Sequence, residues 1–366
     1  MPCPFAARTH SLDDPVEVGE PVVVAEAPAG GPVRIVTDPE LARAVLADPR
    51  FAKDPALAPP HWDARTAGLE PTAADQLSVT TLDGPPHTRL RRVFAPLFSA
   101  ARMRAAYPMM VATARRLLAA LGAEADLVED FTTRYPLAVL CDLLGIPADR
   151  VDHAMTACRL VHTDYPDHVD QAMAAFADLA SVAVTGGVEL ADRMPPGSTD
   201  RDLHYQVFTI LFAGQLTTDP SVGFLIARLL SPPPAPDTHT APDDPAAPDD
   251  LVDDTLRRYP PAPYTLWRFT STEVDLAGEL LSARTPVLVD IRAANAGSGD
   301  LTFGTGPHYC IGAQLARLEL RAVAEAFRTD YPKARLTTPY RNLVAATPGG
   351  IMGSRLLTLP VRFQTP

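Results

Sequence analysis

Cysteine is scarce: Cys3, Cys141, Cys158 and Cys310 are the only four in 366 residues, and their spacing fits neither a zinc site nor a disulfide framework. That usage points to a reducing compartment. No basic tract occurs, and 44 acidic against 32 basic residues give a formal net charge of -12, which argues against nucleic acid as the partner. From Met1 to Glu20, charges and prolines stand where an export signal would need an apolar run, and no apolar segment approaches the length that spans a bilayer. The expectation is a cytoplasmic protein with no membrane and no nucleic-acid partner.

What is present suits a buried core, since 46% of the residues are hydrophobic. Val33 and Ile35 alternate with Arg34 as a short strand over 32–36, and Asp38-Pro39 then opens a helix with Leu41, Val45 and Leu46 on its apolar stripe. Arg50 to Ser78 holds prolines and Trp62 with little periodicity and reads as an irregular loop. Helical spacing returns over 101–121, 135–144 and 148–181, broken by Gly145-Ile146-Pro147. Between 231 and 250, 12 of 20 residues are Pro or Asp, which reads as a surface loop within one domain spanning 1–366. A short helix over 251–258 and a strand over 287–290 follow. The fold class is mainly α with small β-sheets.

Three stretches carry chemistry. The first is Phe303-Gly304-Thr305-Gly306-Pro307-His308-Tyr309-Cys310-Ile311-Gly312-Ala313. Gly304 and Gly306 allow a tight loop to pass close to a flat ligand. Ile311, Leu315, Leu318 and Ala322 recur at helical spacing, so a helix begins just after Cys310, whose thiolate the helix N-terminus favours. Gly312 removes a side chain that would meet such a ligand. In the second, His87 and Arg91 lie four residues apart on one helix face and aim two donors together. The third is an apolar helix from Val207 to Leu230. There Ala213-Gly214 leaves little bulk, the Thr217 hydroxyl can donate back to the carbonyl four residues earlier, and Pro220 predicts a kink around 215–219.

The run F-G-x-G-x-H-x-C-x-G-A resembles the signature of cytochromes P450, with further motifs in that family's order from Val33 to Phe363. The resemblance implies the P450 fold, with haem b between the kinked distal helix and the cysteine loop and Cys310 as axial ligand of the iron. Haem would be held non-covalently, because no Cys-x-x-Cys-His run is present. It further implies that His87, Arg91, Arg268 and His308 contact haem propionates, that Phe303, Gly304 and Gly312 bind the cofactor from the loop, and that 50–78 caps the substrate cavity. Gly214, Leu216 and Thr217 fall in the distal motif A-G-x-(acid)-T-T, with Leu216 at the acidic position, which removes one member of the proton relay. Asp254-x-x-Arg257 stands where the family has Glu-x-x-Arg, and between Asn295 and Leu301 the family's longer meander is missing.

The function the resemblance implies is a monooxygenase tailoring a small natural product, with electrons from a ferredoxin-type donor. Leu216 motivates an alternative, a haem-thiolate enzyme using peroxide, dehydration or a substrate-borne oxidant. The shortened meander and Asp254 motivate another, a non-catalytic partner of a sugar transferase.

Overall fold

Asp38 accepts the Leu41 amide at 2.8 Å and Pro39 fills the first position of helix α1 (Pro39–Ala47), so the chain turns from strand to helix where the sequence directs. The computed structural model describes residues 4–14, 16, 19–163, 169–231, 248–297 and 299–363. The Pro/Asp-rich stretch from 232 to 247 therefore lies outside the described residues. Before α1, β1 (Val22–Glu26) and β2 (Pro32–Val36) form an antiparallel pair. With β3 (Phe51–Ala52), β4 (Arg268–Thr270) and β5 (Pro286–Val289) they make a five-stranded sheet in the order β1-β2-β5-β4-β3, where β2 and β5 run parallel. Two three-stranded sheets and the hairpin Val274–Leu276/Glu279–Leu281 complete the β structure among the described residues.

Helices make up the rest: α2 (Gly84–Phe94), α3 (Ala100–Ala119), α4 (Arg134–Leu144), α5 (Asp149–Thr163), α6 (Val169–Thr185), α7 (Asp200–Leu229), α8 (Pro248–Arg258), α9 (Ile291–Ala296) and α10 (Ala313–Asp330). Across the span expected to be helical, 148–181, the described residues 149–163 and 169–181 are helical. Gly145, at φ +69, ends α4 in the left-handed conformation that glycine adopts without strain.

Helix α7 is the axis of the helical layer and packs on α4, α6, α8 and α10. It begins seven residues earlier than its apolar run, because Thr199 and Asp202 form a reciprocal capping box. By length and composition α7 could cross a membrane, contrary to the reading that no segment approaches that length. Its position answers the point: Val207, Leu211, Val222, Leu225 and Ile226 are fully buried against neighbouring helices, as expected of a core helix apolar all round.

Candidate active site

Cys310 sits in the loop between α9 and α10, two residues ahead of Gly312, the N-cap residue of α10. The loop is shaped from within: the Cys310 amide donates to the Phe303 carbonyl at 2.9 Å, and Gly304 and Gly306 take φ of +68° and +71°. A Cβ on Gly306 would lie 3.1 Å from the Leu46 carbonyl, so the loop rests directly on the end of α1. At Gly312 an added Cβ would meet only the Cys310 sulfur, at 3.8 Å, so the space beside the thiol is open on that side. Phe303 is half-buried under the Arg317 guanidinium, 4.5 Å from its ring centre.

The thiolate expected at Cys310 is opposed by its surroundings. Cys310 presents surface to the cleft but lies deep in the chain, and burial pushes its thiol up. Amide hydrogen bonds from Gly312 and Ala313, with Arg91 and Arg317, pull the other way without overcoming it. A metal ion settles such a contest, since a coordinating thiol is deprotonated outright.

The structure brings His87, Arg268 and His308 together, and Arg91 beside them. Rings of His87 and His308 lie 4.1 Å apart, His308 Nε2 meets Asp83 Oδ1 at 2.9 Å, and Arg91 donates to the Tyr309 carbonyl. Arg268, 4% exposed, donates Nη1 to the Phe51 carbonyl at 2.9 Å. Burial lowers the pKa of Arg268 to about 10 and of His308 to about 4, while Asp83 pulls both upward. At Asp83 burial alone raises the carboxyl, but the His308 hydrogen bond, the Lys53 amide and Arg268 together hold it below its ordinary range. Two buried donors in this group, His87 Nε2 and Arg268 Nε, have no hydrogen-bond partner. Buried donors left unmatched are costly and mark a place where an acceptor belongs. The group therefore suits a ligand with carboxylates.

On α7 the side chains divide by face. Ala213 is exposed and Leu216 and Thr217 half-buried on one face. The Thr217 hydroxyl donates to the Ala213 carbonyl at 2.8 Å, as its position in the helix leads one to expect. Gly214 lies elsewhere: its added Cβ would come 3.0 Å from a Leu140 methyl, so this glycine admits α4 and is a packing residue. One residue rotates a helix by about 100°, which takes Gly214 off the Ala213–Thr217 face. Pro220 leaves the Leu216 carbonyl without its helical donor, yet α7 continues as α-helix from Asp200 to Leu229.

Two neighbours of this site were not read from the sequence. Lys53 is sunk among the cationic group; its place in the irregular 50–78 region gave no periodicity to betray it. Glu70 accepts from Thr80 and, at 3.2 Å, from Tyr205 of α7, tying that region over the helix. Asp254 reaches both Arg257 and Arg228 directly, so the shorter carboxylate needs no bridging water. Where the meander is missing, Asn295 closes the gap by accepting the Leu301 amide at 2.7 Å and donating to Thr302 at 2.9 Å.

No protein-family model matches the chain. It is similar to the cytochrome P-450 monooxygenase DoxA of Streptomyces sp. (strain C5), 35% identical over 98% of this chain and 96% of that one. That alignment runs over 416 positions against 366 residues here, so gaps in this chain carry the difference. It is also similar to the cytochrome P450 monooxygenase PikC of Streptomyces venezuelae, 31% identical over 98% of this chain and 92% of that one. Among solved structures, CYP154A1 from Streptomyces coelicolor A3(2) superposes with a TM-score of 0.75 at 25% identity, covering 94% of each chain.

Proposed function

Because the chain belongs to the cytochrome P450 family, we propose that it oxygenates a small natural product in bacterial secondary metabolism, with Cys310 as the thiolate ligand of its haem iron. Monooxygenase chemistry, a cysteine-ligated haem, a small-molecule substrate and a redox partner come with the family. The natural-product role rests on the relatives, which include the 20-oxo-5-O-mycaminosyltylactone 23-monooxygenase of Streptomyces fradiae. A ferredoxin-type protein is the proposed donor.

The residues present fit the cofactor. Cys310 supplies the sulfur, with open space at Gly312, and the unmatched donors of His87 and Arg268, beside Arg91 and His308, answer the two propionates. When bound, the haem iron supplies dioxygen activation, which thiolate ligation favours.

The chain's own contribution lies on α7. With its proton committed to the Ala213 carbonyl, Thr217 presents oxygen lone pairs to the cleft and can accept a hydrogen bond there. Leu216 can neither donate nor accept, so proton delivery beside Thr217 is left to ordered water or to substrate hydroxyls. The loop tied over α7 through Glu70 and Tyr205 shields that cleft.

Convergence of four donors near the Cys310 loop carries this reading. The reduced, CO-treated protein is expected to show the haem-thiolate spectrum and Cys310→Ala to lose it, and substrate turnover should require dioxygen and reductant. Turnover unchanged without either would overturn the monooxygenase assignment for this site.

A further inference from the structure

In the β3–β4 pair, Phe51 faces Thr270 and Ala52 faces Phe269, so the next step of the register sets Lys53 across from Arg268. Like charges directly opposed across two strands repel. No described residue pairs directly with the Lys53 ammonium. The Lys53 backbone amide donates to Asp83 Oδ2 at 2.7 Å, but its ammonium makes no hydrogen bond or ion pair with any described residue. Around it within electrostatic reach stand the Arg268 guanidinium, the rings of His87 and His308, which burial keeps from taking up a proton, and the carboxylates of Asp83 and Glu70. Asp83 is already engaged by His308 and by the Lys53 amide, and one Glu70 oxygen takes Thr80 and Tyr205. The N-terminus of the eleven-residue helix α2 adds the positive end of its dipole to the same place.

The consequence is a set of donors without acceptors, His87 Nε2 and Arg268 Nε beside the Lys53 ammonium. Burial, and after it Arg268, lowers the Lys53 pKa to about 8, against the pull of Glu70 and Asp83. Of the 32 basic residues of the chain only Lys53 and Lys333 are lysine. An ammonium is the compact cation, the smaller charge to set beside a buried guanidinium.

We propose that Lys53 is a carboxylate-binding residue of the haem cradle, sharing a propionate with Arg268 and relieving the repulsion between the two strands. The inference rests on the haem reading above. Its test is haem transfer from the purified holoprotein to apomyoglobin, run with protohaem and with the protohaem dimethyl ester, whose propionates carry no charge. Lys53→Met is expected to release protohaem about tenfold faster than wild type, the effect of losing one charge-assisted hydrogen bond. Lys53→Arg is expected to recover part of that loss, and with the dimethyl ester the variants should release at one rate.

Amine acylation read by mass spectrometry gives a second measurement. Haem-loaded wild type should modify Lys333 and spare Lys53. Release of protohaem by Lys53→Met within twofold of wild type overturns the inference, as does an equal defect with the ester, which would mark a structural role. Should Lys53→Met not fold, Lys53→Gln serves in the same comparison. A wild type that holds no haem overturns the functional reading together with this one, whereas a haem-loaded wild type indifferent to Lys53→Met overturns this one alone.

Discussion

Arg355 meets Asp219 across 3.1 Å, Nε to Oδ1, in a part of the fold where Asp219 is 0% and Arg355 8% exposed. Thr133 donates to the other Asp219 oxygen at 2.7 Å, and Arg355 also reaches the Val128 carbonyl and Thr133. The pair joins the strand Arg355–Leu356 to α7, one residue before Pro220 and two after Thr217. It anchors the helix where proline has removed a rung.

Breaking that pair leaves a buried charge alone. Arg355→Met is expected to destabilise the fold by about 3–5 kcal/mol, the usual cost of stranding one partner of a buried ion pair. Asp219→Asn should cost less, because the amide keeps an acceptor for Thr133. Urea unfolding of the two single variants and the double variant checks this. Full additivity would show that the two residues do not act as a pair.

Glu319 of α10 is 1% exposed, and one of its carboxyl oxygens has no partner. Burial raises its pKa well above the usual 4.5, outweighing a hydrogen bond from Thr218 that favours the ionised form. In the fold it holds its proton, while the unfolded chain gives it up above pH 4.5. Its contribution to stability is therefore complete below pH 4.5 and declines as pH rises. Glu319→Gln should then match wild type at pH 4 and exceed it at pH 8. Melting temperatures of both proteins at the two pH values decide it, and a gap that narrows with rising pH would contradict the argument.

Leu216 is half-buried on the Thr217 face of α7. Leu216→Glu places a titratable proton donor beside Thr217 at little cost in stability, glutamate being a good helix former. Product formed per reductant consumed is expected to rise, since general acid assistance is worth about 10²-fold or more where proton transfer limits. An unchanged ratio would mean that protons already arrive by another route.

Asp254 links α8 to α7 through Arg228 and to its own helix through Arg257. Hydrogen bonds and charge from Arg257 and Arg228 hold its pKa below the ordinary carboxylate value against the opposing effect of burial. Asp254→Asn is expected to cost about 1–2 kcal/mol, and Arg228→Met a similar amount, with a double variant short of their sum because both remove one contact. Denaturant midpoints of the three proteins measure it.

Local rules accounted for much of the architecture. Asp38-Pro39 opened α1, Gly145 closed α4, and the glycines at 304 and 306 took the positive φ the loop requires. Thr217 donates to Ala213 because a hydroxyl in a helix finds the carbonyl four residues back. Local rules missed the packing at Gly214, whose neighbour Leu140 belongs to another helix. Lys53 was silent because no short-range pattern marks a residue whose role comes from a strand 215 positions away.

By itself the sequence determined which segments are helical, that one cysteine stands in a glycine-bracketed loop before a helix, and that the acidic position beside Thr217 is leucine; each is a property of neighbours along the chain, set by backbone sterics and helical periodicity. Only the tertiary structure decided which charges face one another: Lys53 across from Arg268, His308 against Asp83, Arg355 against Asp219. Burial decided the rest, because a group removed from water has its protonation governed by whatever packing brings beside it, and no stretch of sequence contains that list.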